Sequence, residues 1–366
     1  MSARRYNTQT RKSFKIRENC LSFGEKKETL IKFARLIAKL IYQKNPIKPI
    51  KGLRCSYYWN GNYIDEKILN EELDAIEGIP QKLNIDYIQI DAGFSKNWGD
   101  WLDYKDRFPS GMQHIVKRIN KMGYKAGIWL APFLANPWSN IFKRNPDWFL
   151  KNDEGQYFET GPAAIITRIT KNVALSFRSF DLTKQKFRQH LKNIIRHFTE
   201  LGFELIKLDF LYPVCFSTNY SSPLTRTQAL RSRLELIKET AGNNIHIVSA
   251  ITPLSPLVGL VDSARMGLDT LNPYICNVPL LNFLVNNKTL ESNFKNNTIR
   301  KFLNGIVWTN VVDCLVFRDG TGIKKTLIKK QKKFAKQNNM SLWIGDSIAR
   351  LNYKNKNNLL RYFSRP

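Results

Sequence analysis

The sequence contains no uninterrupted apolar run of about 18 residues, the length a membrane-spanning helix requires, so no transmembrane helix is expected. Residues 1 to 20 lack the apolar centre of a secretory signal and carry Arg4, Arg5, Arg11, Lys12, Lys15 and Arg17 instead. Export by that route is not expected, and the expected compartment is the cytoplasm. Cysteine is sparse, odd in number and scattered (Cys20, Cys55, Cys215, Cys276, Cys314), which fits reduced thiols rather than a disulfide framework or a zinc site. No Pro- or Gly-rich linker divides the chain, and no pattern in it specifies an oligomeric state. Acidic residues are few, 30 against 58 Lys and Arg, giving a net charge of +28.

Such a charge attracts nucleic acid or anionic membrane. Here the basic residues are spread along the chain, often beside Asn as at Lys288, Lys295 and Lys354, with no aromatic-interleaved strip and no nucleic-acid motif. A lysine-rich solvated surface is favoured over nucleic acid or a membrane surface as partner. The 43% hydrophobic and 12% aromatic content suits a globular chain with a large core.

Residues 1 to 49 read as a basic extension, polar up to residue 28 and then helical. Leu30, Phe33, Ala34, Ile37 and Ile41 recur at helical spacing opposite Lys32, Arg35 and Lys39. Packing of this helix against the main body is favoured over a membrane surface. From residue 50 short apolar runs alternate with helical periodicities, the signature of βα units around a parallel sheet. Eight strands are expected, near Leu53 to Tyr57, Tyr87 to Asp91, Ala126 to Leu130, Leu205 to Asp209, Ile245 to Ala250, Val261 to Met266, Gly305 to Thr309 and Leu342 to Gly345. Eight units predict closure into an α/β (β/α)8 barrel over residues 50 to 350, with 351 to 366 as a tail. Among the helices, Phe187, Leu191, Ile194, Ile195 and Phe198 form one stripe that Gly202 closes. The interval from Phe133 to Asp181 is too long for a plain connection and is expected to fold over the strand ends as a lid.

Active sites of such barrels lie at the carboxyl ends of the strands. The fourth expected strand ends Ile206-Lys-Leu-Asp-Phe210, and alternation places Lys207 and Asp209 on one face. In an apolar barrel interior they need a partner or a task, an internal ion pair being the simpler alternative. The sixth strand ends Arg265-Met-Gly-Leu-Asp269. Two carboxylates facing one pocket suit glycoside cleavage, one attacking or stabilising the anomeric carbon and the other protonating the leaving oxygen. Asp269 could equally serve as a helix N-cap or turn residue. Trp129, Tyr57, Tyr58 and Trp59 lie near strand ends, where each could stack on a hexose or pack in the core, and Trp98 and Trp101 lie in the loop after the second strand.

Further segments follow in order: Arg54-Cys-Ser-Tyr-Tyr-Trp59, Ile88-Gln-Ile-Asp-Ala-Gly-Phe94 with Gly99-Asp-Trp101, Arg107-Phe-Pro-Ser-Gly-Met112, Gly123-Tyr-Lys-Ala-Gly-Ile-Trp-Leu-Ala-Pro132 and Asn145-Pro-Asp-Trp148. Weaker echoes stand at Trp308-Thr-Asn310 with Asp313 and at Gly345-Asp346. In order and spacing, from about residue 50 to 350, the chain resembles glycoside hydrolase family 36 and its melibiase-type α-galactosidases.

The resemblance implies that Asp209 is the nucleophile of a retaining hydrolase and Asp269 the general acid and base. It implies that Lys207, Arg265 and Asp91 bind sugar hydroxyls, Asp91 alone being equally able to cap its loop. The expected substrate is an α-galactoside or related α-glycoside, with no metal or organic cofactor. Transfer of galactose to another sugar, or carbohydrate binding without cleavage, are the alternatives. Two departures stand out. Ala92 replaces the second of two consecutive aspartates, which makes galactose a default rather than a deduction. Ala250-Ile251 stands where relatives often carry Cys-Gly, and Ile251 is expected to narrow the pocket. The chain is expected to be a minimal barrel without the β-domains that flank it in many members.

Overall fold

The computed structural model describes residues 26–41, 47–160, 177–215, 220–271 and 279–364. Eight parallel strands close into a barrel: β1 (Gly52–Cys55), β2 (Tyr87–Ile90), β3 (Lys125–Leu130), β7 (Leu205–Leu208), β8 (His246–Ser249), β9 (Ser263–Arg265), β10 (Thr309–Leu315) and β11 (Ser341–Ile344). Three short strands, β4 (Leu134–Ala135), β5 (Glu159–Thr160) and β6 (Phe177–Ser179), form a separate antiparallel sheet between β3 and β7. The barrel order follows the chain, and β1 pairs with β11 through Leu53 and Trp343 to complete the ring.

The strands are short and nearly all their residues are buried, as expected where helices cover the outside and side chains fill the inside. An inner cluster contains Leu53, Cys55, Leu205, Val248, Val311 and Trp343. A larger cluster joins Ile88, Ile128, Ile206, Ile247 and Ile344 to helical residues such as Leu73, Ile115, Leu191 and Ile237. The helix Gln185–Glu200 buries all five apolar residues of its stripe, and Gly202, at φ 95°, turns the chain into β7.

Seven of the expected strands lie where the pattern put them, and the remaining one is displaced. Gly305, at φ 71°, forms a turn, and the strand begins at Thr309, the last residue of the expected run. Its Thr-Asn-Val-Val-Asp-Cys-Leu sequence conceals a fully buried strand, because Asn310 and Asp313 have partners, Trp308 and Tyr58 among them. Residues 353 to 363, expected as a tail, form the helix Tyr353–Phe363 and bury Leu359 and Phe363 in the large cluster.

The N-terminal helix Lys26–Ile41 buries Ala34 in that cluster and leaves Phe33 and Leu40 exposed. Of the interval expected as a lid, residues 161–176 lie outside the described residues, as do residues 1 to 25, Cys20 and Cys276. Within the described part, Phe149 stacks on Phe180 and Phe180 on Phe187, anchoring the small sheet to the barrel's outer helix layer.

The end of the barrel that carries the strand termini is pinned by a buried ion pair. Arg54 Nε donates to Glu72 at 2.7 Å, and Glu72 also accepts from Ser347 Oγ and the Ile348 amide. Burial alone would raise the Glu72 carboxyl, but Arg54 and these donors hold it below the ordinary value. β1, the helix Glu66–Glu77 and the loop after β11 are thereby locked together.

Candidate active site

Asp91, Lys207, Asp209, Arg265, Asp269 and Asp313 meet at or just beyond the carboxyl ends of β2, β7, β9 and β10, in two clusters with Asp209 acting on both.

In the first cluster Lys207 Nζ donates to Asp91 Oδ2 at 2.9 Å, with both side chains almost fully buried. The same carboxylate accepts from Gln89 Nε2, Cys55 Sγ and its neighbouring Ala92 amide. Burial would lower the Lys207 ammonium, but Asp91 raises it above the ordinary lysine value, helped by Cys55 and Asp209. The internal ion pair weighed for Lys207 and Asp209 therefore forms instead between Lys207 and Asp91.

In the second cluster Arg265 Nη1 donates to Asp269 Oδ1 at 2.6 Å and to Asp313 Oδ1 at 3.3 Å. Tyr58 donates its hydroxyl to Asp313 at 2.7 Å and lies 3.3 Å from Asp269. Asp313 also accepts from the Thr270 amide at 2.6 Å. The Asp269 side chain keeps 36% of its surface exposed, whereas Asp313 is sealed. Burial raises the Asp269 carboxyl above its ordinary value, Arg265 opposes, and Asp313 and Asp209 push it further up. Asp269 is thus the carboxyl predisposed to carry a proton, and it retains a path to the barrel mouth. Arg265 Nε and Nη2 are buried and have no partner among the described residues. Such donors require an acceptor.

Asp209 follows β7. Trp129 Nε1 donates to its Oδ2 at 3.1 Å, and the Phe210 amide donates to its Oδ1 at 2.8 Å. Phe210 takes φ 51°, a left-handed conformation uncommon for a bulky residue.

The aromatic expectations divide. Tyr57, Tyr58 and Trp59 belong to a short helix, Tyr57–Asn60, beyond the strand. Tyr58 is 1% exposed, so its ring has no face for a sugar, and its hydroxyl orders the carboxylates instead. Gly345 permits this approach: a Cβ there would come within 3.1 Å of Tyr58 Cβ. Trp129 is likewise buried, packed edge-on against Trp98 and Trp101, with its polar edge on Asp209. Trp59 is half-buried, with the Arg318 guanidinium 4.8 Å from its ring centroid. Trp98 stacks on Phe177 of the small sheet at 4.3 Å.

Ala92 is buried within the large apolar cluster. Ile251 is half-buried at φ 49°, which accounts for glycine being suited to this position. Asp313 and Gln89 received no role from the sequence. Asp313 stood only among the weaker echoes of the family pattern, and Gln89 only inside the segment Ile88–Phe94. Among the described residues no cluster of three or more His, Cys, Asp or Glu is arranged to hold a metal ion.

A closed parallel barrel with acidic and basic side chains gathered at its strand termini is the architecture of a (β/α)8 enzyme barrel. Residues 57–174 match the melibiase family, a stretch that ends ahead of Asp209. The α-galactosidase AgaA of Geobacillus stearothermophilus is 29% identical over 102 residues, covering 25% of this chain and 13% of that relative. A probable α-galactosidase C of Aspergillus flavus is 36% identical over 120 residues, covering 28% of this chain and 15% of the relative. These alignments therefore span only a small part of the curated relatives' length. In fold, an α-galactosidase from Thermus thermophilus in complex with stachyose superposes with a TM-score of 0.75 at 23% identity, covering 94% of this chain and 70% of that one. The Geobacillus AgaA structure superposes at 0.63 and 14% identity, over 91% of this chain and 44% of that one.

Proposed function

We infer that the chain is a retaining glycosidase acting on terminal α-linked hexose of the galactoside type. The observation that carries this reading is the unequal pair of carboxylates at one barrel mouth. Asp209 has its oxygens fixed by Trp129 and the Phe210 amide, while the Asp269 carboxyl is raised and partly open.

Asp209 attacks the anomeric carbon while Asp269 gives its proton to the departing oxygen, leaving a glycosyl group bonded to Asp209. Asp269, now ionised, takes a proton from water as the water oxygen attacks the anomeric carbon and breaks its bond to Asp209, which releases the sugar with its configuration retained. Arg265 stabilises the ionised Asp269 through its 2.6 Å bond and turns its unpartnered N–H groups to substrate hydroxyls. Lys207, held by Asp91, has further N–H groups for the same task. The similarity to α-galactosidases supports galactose as the sugar, and Ala92 is the position that tests that choice.

The test is release of aryl groups from a panel of α-galactoside, α-glucoside, α-N-acetylgalactosaminide and β-galactoside, with Asp209→Ala as control. Release from the α-galactoside that vanishes in the variant is expected. Activity unchanged in Asp209→Ala would sink the assignment.

A further inference from the structure

The loops that follow β10 and β11 enclose a cleft of about 280 Å³ on the same end of the barrel as the carboxylates. Five basic residues line it, Arg318, Lys325, Lys329, Lys332 and Lys354, against one acid, Asp319. Asp319 is engaged by Asn355 Nδ2 at 2.8 Å, and Arg318 by Asp346 and the Tyr58 carbonyl. None of the salt bridges found among the described residues involves Lys325, Lys329, Lys332 or Lys354.

The backbone adds to this positive field. Gly320 and Gly322 take φ 75° and 69°, and the loop they shape leads into the helix Lys325–Gln337, whose N-terminus no side chain caps. Of its first-turn amides, those of Leu327 and Ile328 donate to the Lys324 carbonyl, while that of Lys325, a residue lining the cleft, has no partner among the described residues. In barrels that hold phosphate, the group often sits between the loops after the seventh and eighth strands, beside a helix N-terminus. β10 and β11 are the seventh and eighth barrel strands here.

The geometry points to a binding site for a phosphate-type oxyanion in this cleft, separate from the carboxylate pair and gripped by Lys325, Lys329, Lys332 and Lys354. Lys332 fits this role: burial lowers its ammonium to about 8, with Asp346 the opposing charge, and an anion in the cleft would restore it. The site does not depend on the reading of Asp209 and Asp269, because its test reads binding rather than turnover.

The test is calorimetric titration of the full chain with inorganic phosphate at constant ionic strength. One saturable site is expected. Lys325→Ala with Lys329→Ala, both exposed residues, should weaken it by about tenfold or more, the loss of charge-assisted contacts. Lys117→Ala with Lys121→Ala, on the remote helix Met112–Lys121, should leave the affinity unchanged. Heat that does not saturate, or equal weakening by the two double variants, would overturn the site and assign the binding to general surface charge. A hexose 6-phosphate that binds more tightly than inorganic phosphate would support the site as one for a phosphorylated sugar. Equal affinity would support it as one for the free ion.

Discussion

Lys207 reaches past β3 to Asp91 at 2.9 Å, although Asp209 lies two positions along its own strand line. The pairing leaves Asp209 to Trp129 and the Phe210 amide, so the cation neutralises one carboxylate and only adds field at the other. Removing one member of such a pair strands a buried charge. Lys207→Met is expected to lower unfolding free energy by about 3–5 kcal/mol in urea titrations. Adding Asp91→Asn should recover part of that loss. The pH dependence has a definite sign. The folded Lys207 is raised above its ordinary value of 10.5, so its stabilisation is complete below 10.5 and is lost as pH climbs toward the folded value. Alkaline destabilisation above pH 10.5 should be steeper in the unmodified protein than in Lys207→Met.

Trp129 offers a test of how Asp209 is held. Trp129→Phe keeps most of the buried ring but deletes the Nε1 donor to Asp209 Oδ2. A hydrogen bond to a charged group contributes about 1.5–3 kcal/mol, so kcat on an aryl α-galactoside should fall by about 10- to 150-fold. Thermal stability should change little by comparison. Unchanged kcat would mean that the Phe210 amide alone fixes the carboxylate.

These relationships differ in how far the sequence reveals them. Strands such as Tyr87–Ile90 and Leu205–Leu208 are legible because apolar residues fill both faces, and Asp91 and Asp209 are conspicuous as the charges that end those runs. Thr309–Leu315 is less legible, since Asn310 and Asp313 look like loop residues until their partners, Trp308 and Tyr58, are seen beside them. Tyr58 and Trp129 were legible as aromatic residues near strand ends but not in the hydrogen bonds they make. Sequence shows an aromatic ring near a strand end, whereas the direction of its hydroxyl or indole N–H is set by tertiary packing. The choice of Asp91 over Asp209 by Lys207 is likewise a product of barrel register, with Trp129 opposite Lys207 on β3 and β7.

Ile251 carries a conformational cost that can be removed. Its φ of 49° is disfavoured for a β-branched residue by about 1–2 kcal/mol. Ile251→Gly gives up a half-buried side chain and relieves this strain. The melting temperature should stay level or rise, whereas Ile247→Gly, within β8 and fully buried, should sharply destabilise the barrel. A fall for Ile251→Gly as large as that for Ile247→Gly would show that the side chain, and not the backbone, dominates there.

Asp313 should control the pH profile without touching substrate. It is sealed, bound to Tyr58 and the Thr270 amide, and its charge helps to raise the Asp269 carboxyl. In its proposed role as general acid Asp269 must be protonated, so kcat/KM falls on the alkaline side as pH rises through its pKa. Asp313→Asn removes a negative neighbour, and it also frees Arg265 Nη1 to serve Asp269 alone. Both changes favour the ionised form and lower the Asp269 pKa. The alkaline limb of the kcat/KM profile should therefore move to lower pH while the acidic limb keeps its position. A purely structural role for Asp313 would instead scale the whole profile down without moving either limb, and that outcome would remove it from the electrostatics of the acid.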